Sequence, residues 1–491
     1  MSIRMAIVLL LTLYTTRVVL SVLGVEDYGV YNVVCGFVSM FTFLSTSMSN
    51  GIQRFFNYEL GKHGISGATK VYNTALLIQM TIAVVIVLFT ETLGIWYLHH
   101  KMVIPVDRLV AAEWIFQFSI LSFVFNIMQA PYSAAIMAHE KMDFYAIVSV
   151  LDAVLKLCIV FTVPYIAGDR LVIYGLLFLL IAISDFLLYF VYSKRKFEEI
   201  RFEKVIHKDL FKSMIGFSGW NFFGSFSGVM KEQGMNLVLN LFFGPVVNAA
   251  RGVATQINGG LQSFVQNLSV PIRPQVIQSY AVENYSRCLN LTFSLSKLSC
   301  CLIYLIAMPI VLEMDYVLNL WLGENVPEHT NSFACIVILV TFVNNLNAPV
   351  SGIIHASGQM KKYQVVTSLI SMMCIPGAYV ALRLGTSPEV ALFLIFVFSA
   401  ISQYASLVIL KDIIEYKLLD YLKEVLYPFF LLVFCTFAIP CIPRFLMEQS
   451  LFRFLVVGTT SVLIIIIGMY LVALNARERQ LVKQLLSRIR K

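Results

Sequence analysis

Asn126 to Tyr145 reads NIMQAPYSAAIMAHEKMDFY, and Asn344 to Tyr363 reads NNLNAPVSGIIHASGQMKKY. Ala130 and Pro131 of the first stretch fall on Ala348 and Pro349 of the second, an offset of 218 (348 − 130). At that offset Asn126, Ser133, Ile136, Ala138, Met142 and Tyr145 meet Asn344, Ser351, Ile354, Ala356, Met360 and Tyr363 without a gap. A repeat settles the architecture before any local reading does, and one this long is no solenoid unit. It divides the chain into two similar halves of roughly 200 residues plus a tail.

Of the 491 residues, 59% are hydrophobic and only 13% are charged, and the mean hydropathy is +0.80. Soluble chains are about 45–50% apolar and about 25% charged, so this is a polytopic membrane protein rather than a soluble enzyme with an anchor. The net charge of +8 does not call for nucleic acid, because positive residues collect in the cytoplasmic loops of membrane proteins. The nine cysteines, Cys300 and Cys301 among them, fall mostly in apolar runs without ligand spacing and read as small core residues. The first apolar run, about Ile3 to Leu23, is long enough to span and lacks the cleavage pattern of a signal peptide.

A span needs about 20 mostly apolar residues. That rule predicts an all-α protein of about fourteen transmembrane helices, the first three centred near residues 13, 39 and 85 and the seventh and eighth near 228 and 258. Lys and Arg follow the even-numbered helices: Arg54, Lys62 and Lys70; Lys141; the run Lys194 to Lys212; Lys361 and Lys362; Lys411, Lys417 and Lys423; and the tail from Arg477. The stretch Glu313 to Thr330 on the opposite side has four acids and no Lys or Arg. The positive-inside rule then makes both termini cytoplasmic. Six helices separate a position from its echo, so the two halves have the same orientation, related by an axis along the membrane normal. The expected organisation is residues 1–192 (helices 1–6), a basic cytoplasmic linker 193–212, residues 213–410 (helices 7–12), helices 13 and 14 in 411–474, and a basic tail 475–491. Leu481, Val482, Leu485, Leu486 and Ile489 line one face of that tail. It is either an interfacial amphipathic helix or a solvated end.

Lipid-facing positions are apolar because unsatisfied polar groups are costly in hydrocarbon. Several predicted helices break this rule at helical spacing. Helix 7 carries Ser218, Asn221, Ser225, Glu232, Asn236 and Asn240; helix 8 carries Asn248, Arg251, Thr255, Asn258, Gln262 and Gln266; helix 10 carries Asn344, Ser351 and His355. Such stripes mark faces turned from lipid. They serve either hydrogen-bonded packing or a wet cavity, and helix 8 is polar along so much of its length that a cavity is expected there. Ionisable residues at a helix centre cost about 2.5–3.5 kcal/mol each on insertion scales and mark functional positions. Arg17, Asp152, Lys156, Asp185, Lys231, Glu232, Arg251 and Lys297 are the candidates. Asp152 and Lys156 are spaced to pair on one helix, as structure or as site. Lys231 and Glu232 point in different directions. Arg17 and Arg251 have no partner nearby in sequence, so each either snorkels to an interface or offers its planar fork to an anion such as phosphate. Pro131 and Pro349 fall mid-helix at equivalent places, as matched hinges or as static bends. No GxxxxGK[ST], no Ser/His/Asp set and no metal-ligand spacing occurs, so neither ATPase chemistry nor a cofactor is expected.

Leu13 to Tyr31, LYTTRVVLSVLGVEDYGVY, followed by Gln53-Arg54-Phe55-Phe56 and Glu59-Leu60-Gly61, resembles the start of Wzx-type O-antigen and capsule flippases of the multidrug/oligosaccharidyl-lipid/polysaccharide exporter superfamily. The Asn126 stretch is similar to the same family, and Leu239 to Gly259, LNLFFGPVVNAARGVATQING, looks like its seventh to eighth helix, with Gly244 against Gly24. The resemblance covers nearly the whole chain, but its motifs are those of a scaffold. It implies a V-shaped pair of six-helix lobes around a cavity lined by helices 1, 2, 7 and 8. It implies alternating-access export of undecaprenyl-diphosphate-linked oligosaccharide across the bacterial inner membrane. The expected partners are the lipid-linked oligosaccharide, membrane lipids and, as a candidate, a polysaccharide polymerase complex; nucleic acid is not among them. On this resemblance Arg17, Lys156, Lys231, Arg251, Asn221, Asn236 and Gln262 are candidate substrate contacts, Asp152, Asp185 and Glu232 candidate ion-coupling residues, and Pro131 and Pro349 candidate hinges. Relatives carry more residues before the first helix, so Met1 is expected to be a late start or a truncated end. The competing expectations are a cation-coupled multidrug exporter, a polymerase or acyltransferase, and a non-transporting scaffold. The basic reading of the cavity and the duplication favour the flippase.

Overall fold

The computed structural model describes residues 2–139, 141–203, 207–269, 273–323, 325–357, 359–476 and 478–480. The amphipathic part of the tail lies outside the described residues, as do the side chains of Ser218, Asn221, Gln266 and His355. Every regular element among the described residues is helical, as expected where hydrocarbon leaves the backbone no partner but itself. In order these are α1 (Ser2–Ser39), α2 (Thr42–Phe89), α3 (Ile95–His100), α4 (Leu109–Ala138), α5 (Met142–Thr162), α6 (Arg170–Lys196), α7 (Lys208–Val229), α8 (Met235–Phe243), α9 (Pro245–Ser269) and α10 (Arg273–Ala281). There follow α11 (Tyr285–Leu312), α12 (Met314–Leu322), α13 (Thr330–Ala356), α14 (Met360–Met372), α15 (Cys374–Arg383), α16 (Pro388–Ile413), α17 (Leu418–Tyr421), α18 (Tyr427–Leu446) and α19 (Leu451–Gly468). Single π-helical turns join α2 to α3 at Thr90–Gly94, α7 to α8 at Met230–Gly234 and α17 to α18 at Leu422–Leu426.

Eleven helices among the described residues are long and apolar enough to cross a membrane, where the sequence led to about fourteen. The difference has three sources. Gly24 breaks α1 and Gly64 breaks α2, so residues 2–100 hold three segments where length and composition count two. The run α7–α8 and helix α9 are long, but their polar stripes keep both off the count. Gly24 (φ 81°, ψ 172°) and Gly244 (φ 75°, ψ −168°) share one backbone conformation, available at little cost only to glycine. The second half thus repeats the first down to a single residue's torsions. Pro131 and Pro349 are both buried inside unbroken long helices, α4 and α13.

The chain packs as two compact units. The first comprises Met1–Val253, Trp321–Thr330 and Ser368–Ile395. Its two short excursions are fastened by Trp321 Nε1 donating to the Leu13 carbonyl (2.7 Å) and Ser227 Oγ donating to the Ser368 carbonyl (2.9 Å). One core cluster gathers Ile52, Phe56, Tyr72, Tyr132, Tyr189, Phe197, Ile200 and Met214. The first part of the inter-half segment is therefore not a loose connector. Phe197 stacks on His139, which hydrogen-bonds the buried Glu199. Asn73 accepts from Glu203 N and donates to the Arg201 carbonyl, both at 2.8 Å. At the end of the unit near Gly24, Arg108 pairs with buried Asp27 (2.9 Å) and with Asp169 (2.7 Å). Asp169 also caps α6 by accepting from Leu171 N and Val172 N, satisfying two donors that a helix start leaves open.

The second unit comprises Ala254–Leu320, Asn331–Thr367 and Phe396–Lys491. Here α19 lies on α11, and two ion pairs tie this region together: Arg453 to Glu313 at 2.6 Å and Lys297 to Glu478 at 2.7 Å, with Glu313 and Lys297 nearly inaccessible. Lys297, an intramembrane candidate in the sequence, is thus a structural cation whose counter-ion follows the last span. The cysteines are mixed: Cys288, Cys300, Cys301 and Cys374 are core residues as expected, whereas Cys158 and Cys435 are exposed.

Candidate functional site

A cavity of about 470 Å³ opens inside the first unit. Tyr31, Cys35 and Ser39 of α1 line it, with Thr42, Ser45 and Thr46 of α2, Ser119, Ser122 and Asn126 of α4, Asp152 and Lys156 of α5, and Phe178 and Asp185 of α6. Lys156 Nζ lies 2.8 Å from Asp152 Oδ2, the pairing that their spacing predicts. Asp185 stands close enough to interact with both, and its Oδ1 is buried without a hydrogen-bond partner. Tyr31 and Phe178 line one wall, and their rings pack with that of Tyr174, centroids 4.6–6.1 Å apart.

The wall has a chemical polarity. Ser39, Thr42, Thr46 and Ser119 each donate their hydroxyl hydrogen to a backbone carbonyl one turn back, at 2.7–2.9 Å. Asn126 Nδ2 does the same to the Ser122 carbonyl at 2.8 Å. A hydroxyl has one donor and two acceptor sites, so these four hydroxyls offer the cavity acceptors only, while Asn126 keeps its carbonyl oxygen and a second N–H. Two carboxylates add more acceptors, and the Lys156 ammonium, already paired with Asp152, is the charged donor among the named lining residues. The cavity therefore suits a ligand that donates hydrogen bonds, such as a polyol, an amine or a cation.

This cavity is not the one expected among helices 1, 2, 7 and 8: it lies among α1, α2, α4, α5 and α6. Two carboxylates and one lysine line this one. Arg17 is exposed and is not among the lining residues. Arg251 has a partner after all: its Nη2 lies 3.1 Å from Glu232 Oε2, with the arginine buried and the carboxylate about half exposed. Sequence distance hid this, because the π-turn at Met230–Gly234 and the break at Gly244 bring residues 19 apart into contact. Lys231, on the same turn, is half-buried. A π-turn at such a place re-aims side chains and often marks function.

The amides of α8 and α9 do not line this cavity either. Asn236, Asn240 and Asn248 are buried and bonded to one another and to neighbouring backbone. Asn258 accepts from Thr341 Oγ1 at 2.7 Å. Gln262 is half-buried in the second unit, and Asn221 has no described side chain. The cavity thus gathers Asp152, Lys156 and Asp185 from the candidates and leaves Arg17, Lys231, Glu232, Arg251, Asn236 and Gln262 elsewhere. Tyr31, Ser119, Ser122 and Asn126 were not singled out as ligands. Asn126 marks the repeat in the sequence, and its amide, with Ser122 one helical turn back and Ser119 two turns back, is also a usable signal of a polar face.

A family profile described as "Polysaccharide biosynthesis protein" matches residues 3–277. No curated protein sequence matches the chain significantly. Among solved structures, an inward-facing multidrug resistance MATE family transporter of the MOP superfamily superposes with a TM-score of 0.70 at 12% identity, over 84% of this chain and 97% of that one. The lipid II flippase MurJ, in an inward closed conformation, superposes with a TM-score of 0.63 at 14% identity, over 95% of this chain and 97% of its own. A MOP superfamily transporter from Pyrococcus furiosus, described as having a binding pocket of reverse polarity, gives 0.61 at 13% identity, over 84% and 94%. At these identities the likeness is one of fold: the chain has the helical membrane architecture shared by MATE transporters and MurJ.

Proposed function

The chain belongs to the polysaccharide biosynthesis protein family, and from that premise we propose that it flips an undecaprenyl-diphosphate-linked oligosaccharide across the bacterial inner membrane by alternating access. The observation that carries this reading is the acceptor-lined cavity among α1, α2, α4, α5 and α6. A glycan is a dense array of hydroxyl donors, and an array of Ser, Thr and Asn acceptors is its complement. The aromatic wall of Tyr31 and Phe178 offers the apolar face on which sugar rings pack. The diphosphate, which only accepts, finds one cation there, Lys156, and that is paired with Asp152. Lys231, Arg17 and Arg251 remain its proposed contacts, with Arg251 shared with Glu232. Asp152 and Asp185 are proposed for ion coupling, and Pro131 and Pro349 for the bending of α4 and α13. The basic loops put both termini in the cytoplasm, and a polysaccharide polymerase complex is the proposed downstream partner.

One observation favours the multidrug reading: Asp185 has a buried carboxylate oxygen with no partner, which a cationic drug or its coupling ion would fill. Deletion of the gene separates the two. The flippase reading expects lipid-linked oligosaccharide to accumulate on the cytoplasmic leaflet, with drug sensitivity unchanged. Normal surface glycan together with new drug sensitivity would replace it with the second reading.

A further inference from the structure

The cavity of the first unit carries a charge imbalance. Its lining holds two carboxylates, Asp152 and Asp185, and one ammonium, Lys156. Lys156 is already paired with Asp152 at 2.8 Å. Asp185 stands near both but forms no ion pair among the described residues, and its Oδ1 accepts no hydrogen bond. The hydroxyls of Ser39, Thr42, Thr46 and Ser119 spend their hydrogens on backbone carbonyls, so none of them relieves it. A half-buried carboxylate without a counter-charge is costly inside a membrane.

Packing does not account for these charges. An offset of 218 (388 − 170) carries the start of α6, Arg170, onto the start of α16, Pro388. The same offset carries the start of α5, Met142, onto that of α14, Met360. In that register Asp152, Lys156 and Asp185 fall on Ile370, Cys374 and Gln403. The second half builds the same helices with none of the three charges, so the scaffold does not require them.

The space exceeds what a single ion fills. A cavity of about 470 Å³ falls within the range of about 300–1,000 Å³ that holds small organic ligands. The Lys156 ammonium lies 6.0 Å from the Phe178 ring centroid, so the charged groups sit beside the aromatic wall. A sugar with a free amine uses every feature at once. Its ring face lies on Tyr31 and Phe178, its hydroxyls donate to the Ser and Thr oxygens, and its ammonium brings three N–H donors and a positive charge to the carboxylate. A uronic acid or a phosphorylated sugar meets two carboxylates of its own sign, and an acetamido group brings Asp185 no charge.

We propose that the glycan this cavity takes carries a free amino sugar, and that Asp185 receives its ammonium. The statement rests on the function proposed above and names the substrate class of the same site. A coupling ion and a substrate ammonium exclude each other at Asp185, so the two roles alternate at one carboxylate.

The test titrates the purified full-length protein with three disaccharides by calorimetry at about pH 6, where an aliphatic amine is protonated. They are chitobiose with free amines, its N-acetylated form and cellobiose, which share one ring skeleton and differ in a single substituent per ring. The amine form should bind about tenfold more tightly or better than the other two, the scale of a hydrogen bond to a charged group. Asp185→Asn should bind all three alike, and Asp185→Ser gives the same readout if the first variant does not accumulate. Equal binding of the three by the unmodified protein overturns the proposal and leaves the flippase reading standing. A preference for the amine that survives loss of the Asp185 carboxylate overturns the assignment to Asp185. If none of the three binds while tetraphenylphosphonium does, the flippase reading falls and the proposal falls with it.

Discussion

Replacing Lys156 with methionine removes the one cation from a cavity that holds two carboxylates. Lys156 lies 2.8 Å from Asp152, and their side chains are 39% and 25% exposed. An unpaired charge in a fully buried pair costs about 3–5 kcal/mol. Water reaches both groups here, and exposed pairs contribute no more than about 1 kcal/mol. An intermediate cost of about 1–2 kcal/mol follows, a factor of roughly 5–30 in the folded-to-unfolded ratio. Asp185 raises it, because the two carboxylates then face each other without relief. Lys156→Met should therefore lower the thermal midpoint measured by fluorescence-detected size exclusion, and Asp152→Asn in the same chain should recover most of the loss. Export separates structure from site. If Asp152 and Lys156 hold substrate or a coupling ion, the double variant accumulates normally and still exports no surface glycan. A double variant that exports at the normal rate would refute that role and leave the pair as packing. A Lys156→Met protein as stable as the unmodified chain would refute the electrostatic argument itself.

Lys297→Met should cost about 3–5 kcal/mol by stranding Glu478, while Lys297→Met/Glu478→Leu should come within about 1 kcal/mol of the unmodified protein, in a double-mutant cycle on thermal stability. Lys231→Ala should lower surface glycan at unchanged abundance, since Lys231 is half-buried; equal glycan would remove it from the proposed diphosphate contacts. Arg251→Ala should lower both glycan and stability, the latter by about 1–3 kcal/mol, because a buried side chain bonded to Glu232 is lost. Asn73→Ala should remove both amide bonds to the Arg201–Glu203 backbone, at about 1 kcal/mol each; faster proteolysis between residues 197 and 212 would report it.

Membrane solvent explains what the sequence disclosed. Apolar lengths and loop charges are local, so they reported helices, and the duplicated Ala-Pro stretch and matched glycines reported the repeat. The count fell to eleven by composition because α7–α8 and α9 carry amides that a hydropathy rule reads as soluble. The site was partly visible: Asp152 and Lys156 pair within one turn, and Asp185 joins them across helices. Pairings between distant residues were not visible. Arg108 with Asp27, Arg453 with Glu313 and Lys297 with Glu478 are set by which helices become neighbours. The same blindness made Arg251 look free. A stripe of asparagines on α8 and α9 looks the same in sequence whether it faces water or another helix. Gly36 against Asn236 and Gly252 against Asn32 mark it as a helix contact.

The central claim is movement of a lipid-linked glycan, and purified protein in vesicles tests it without the rest of the pathway. Vesicles are made with radiolabelled undecaprenyl-diphosphate oligosaccharide extracted from the native host, and a membrane-impermeant glycosidase is added outside. In protein-free vesicles about half of the label, that in the inner leaflet, should stay protected. The account predicts that with this protein nearly all of the label becomes cleavable. Protection of the same half with and without the protein, under a proton or sodium gradient or none, would contradict it.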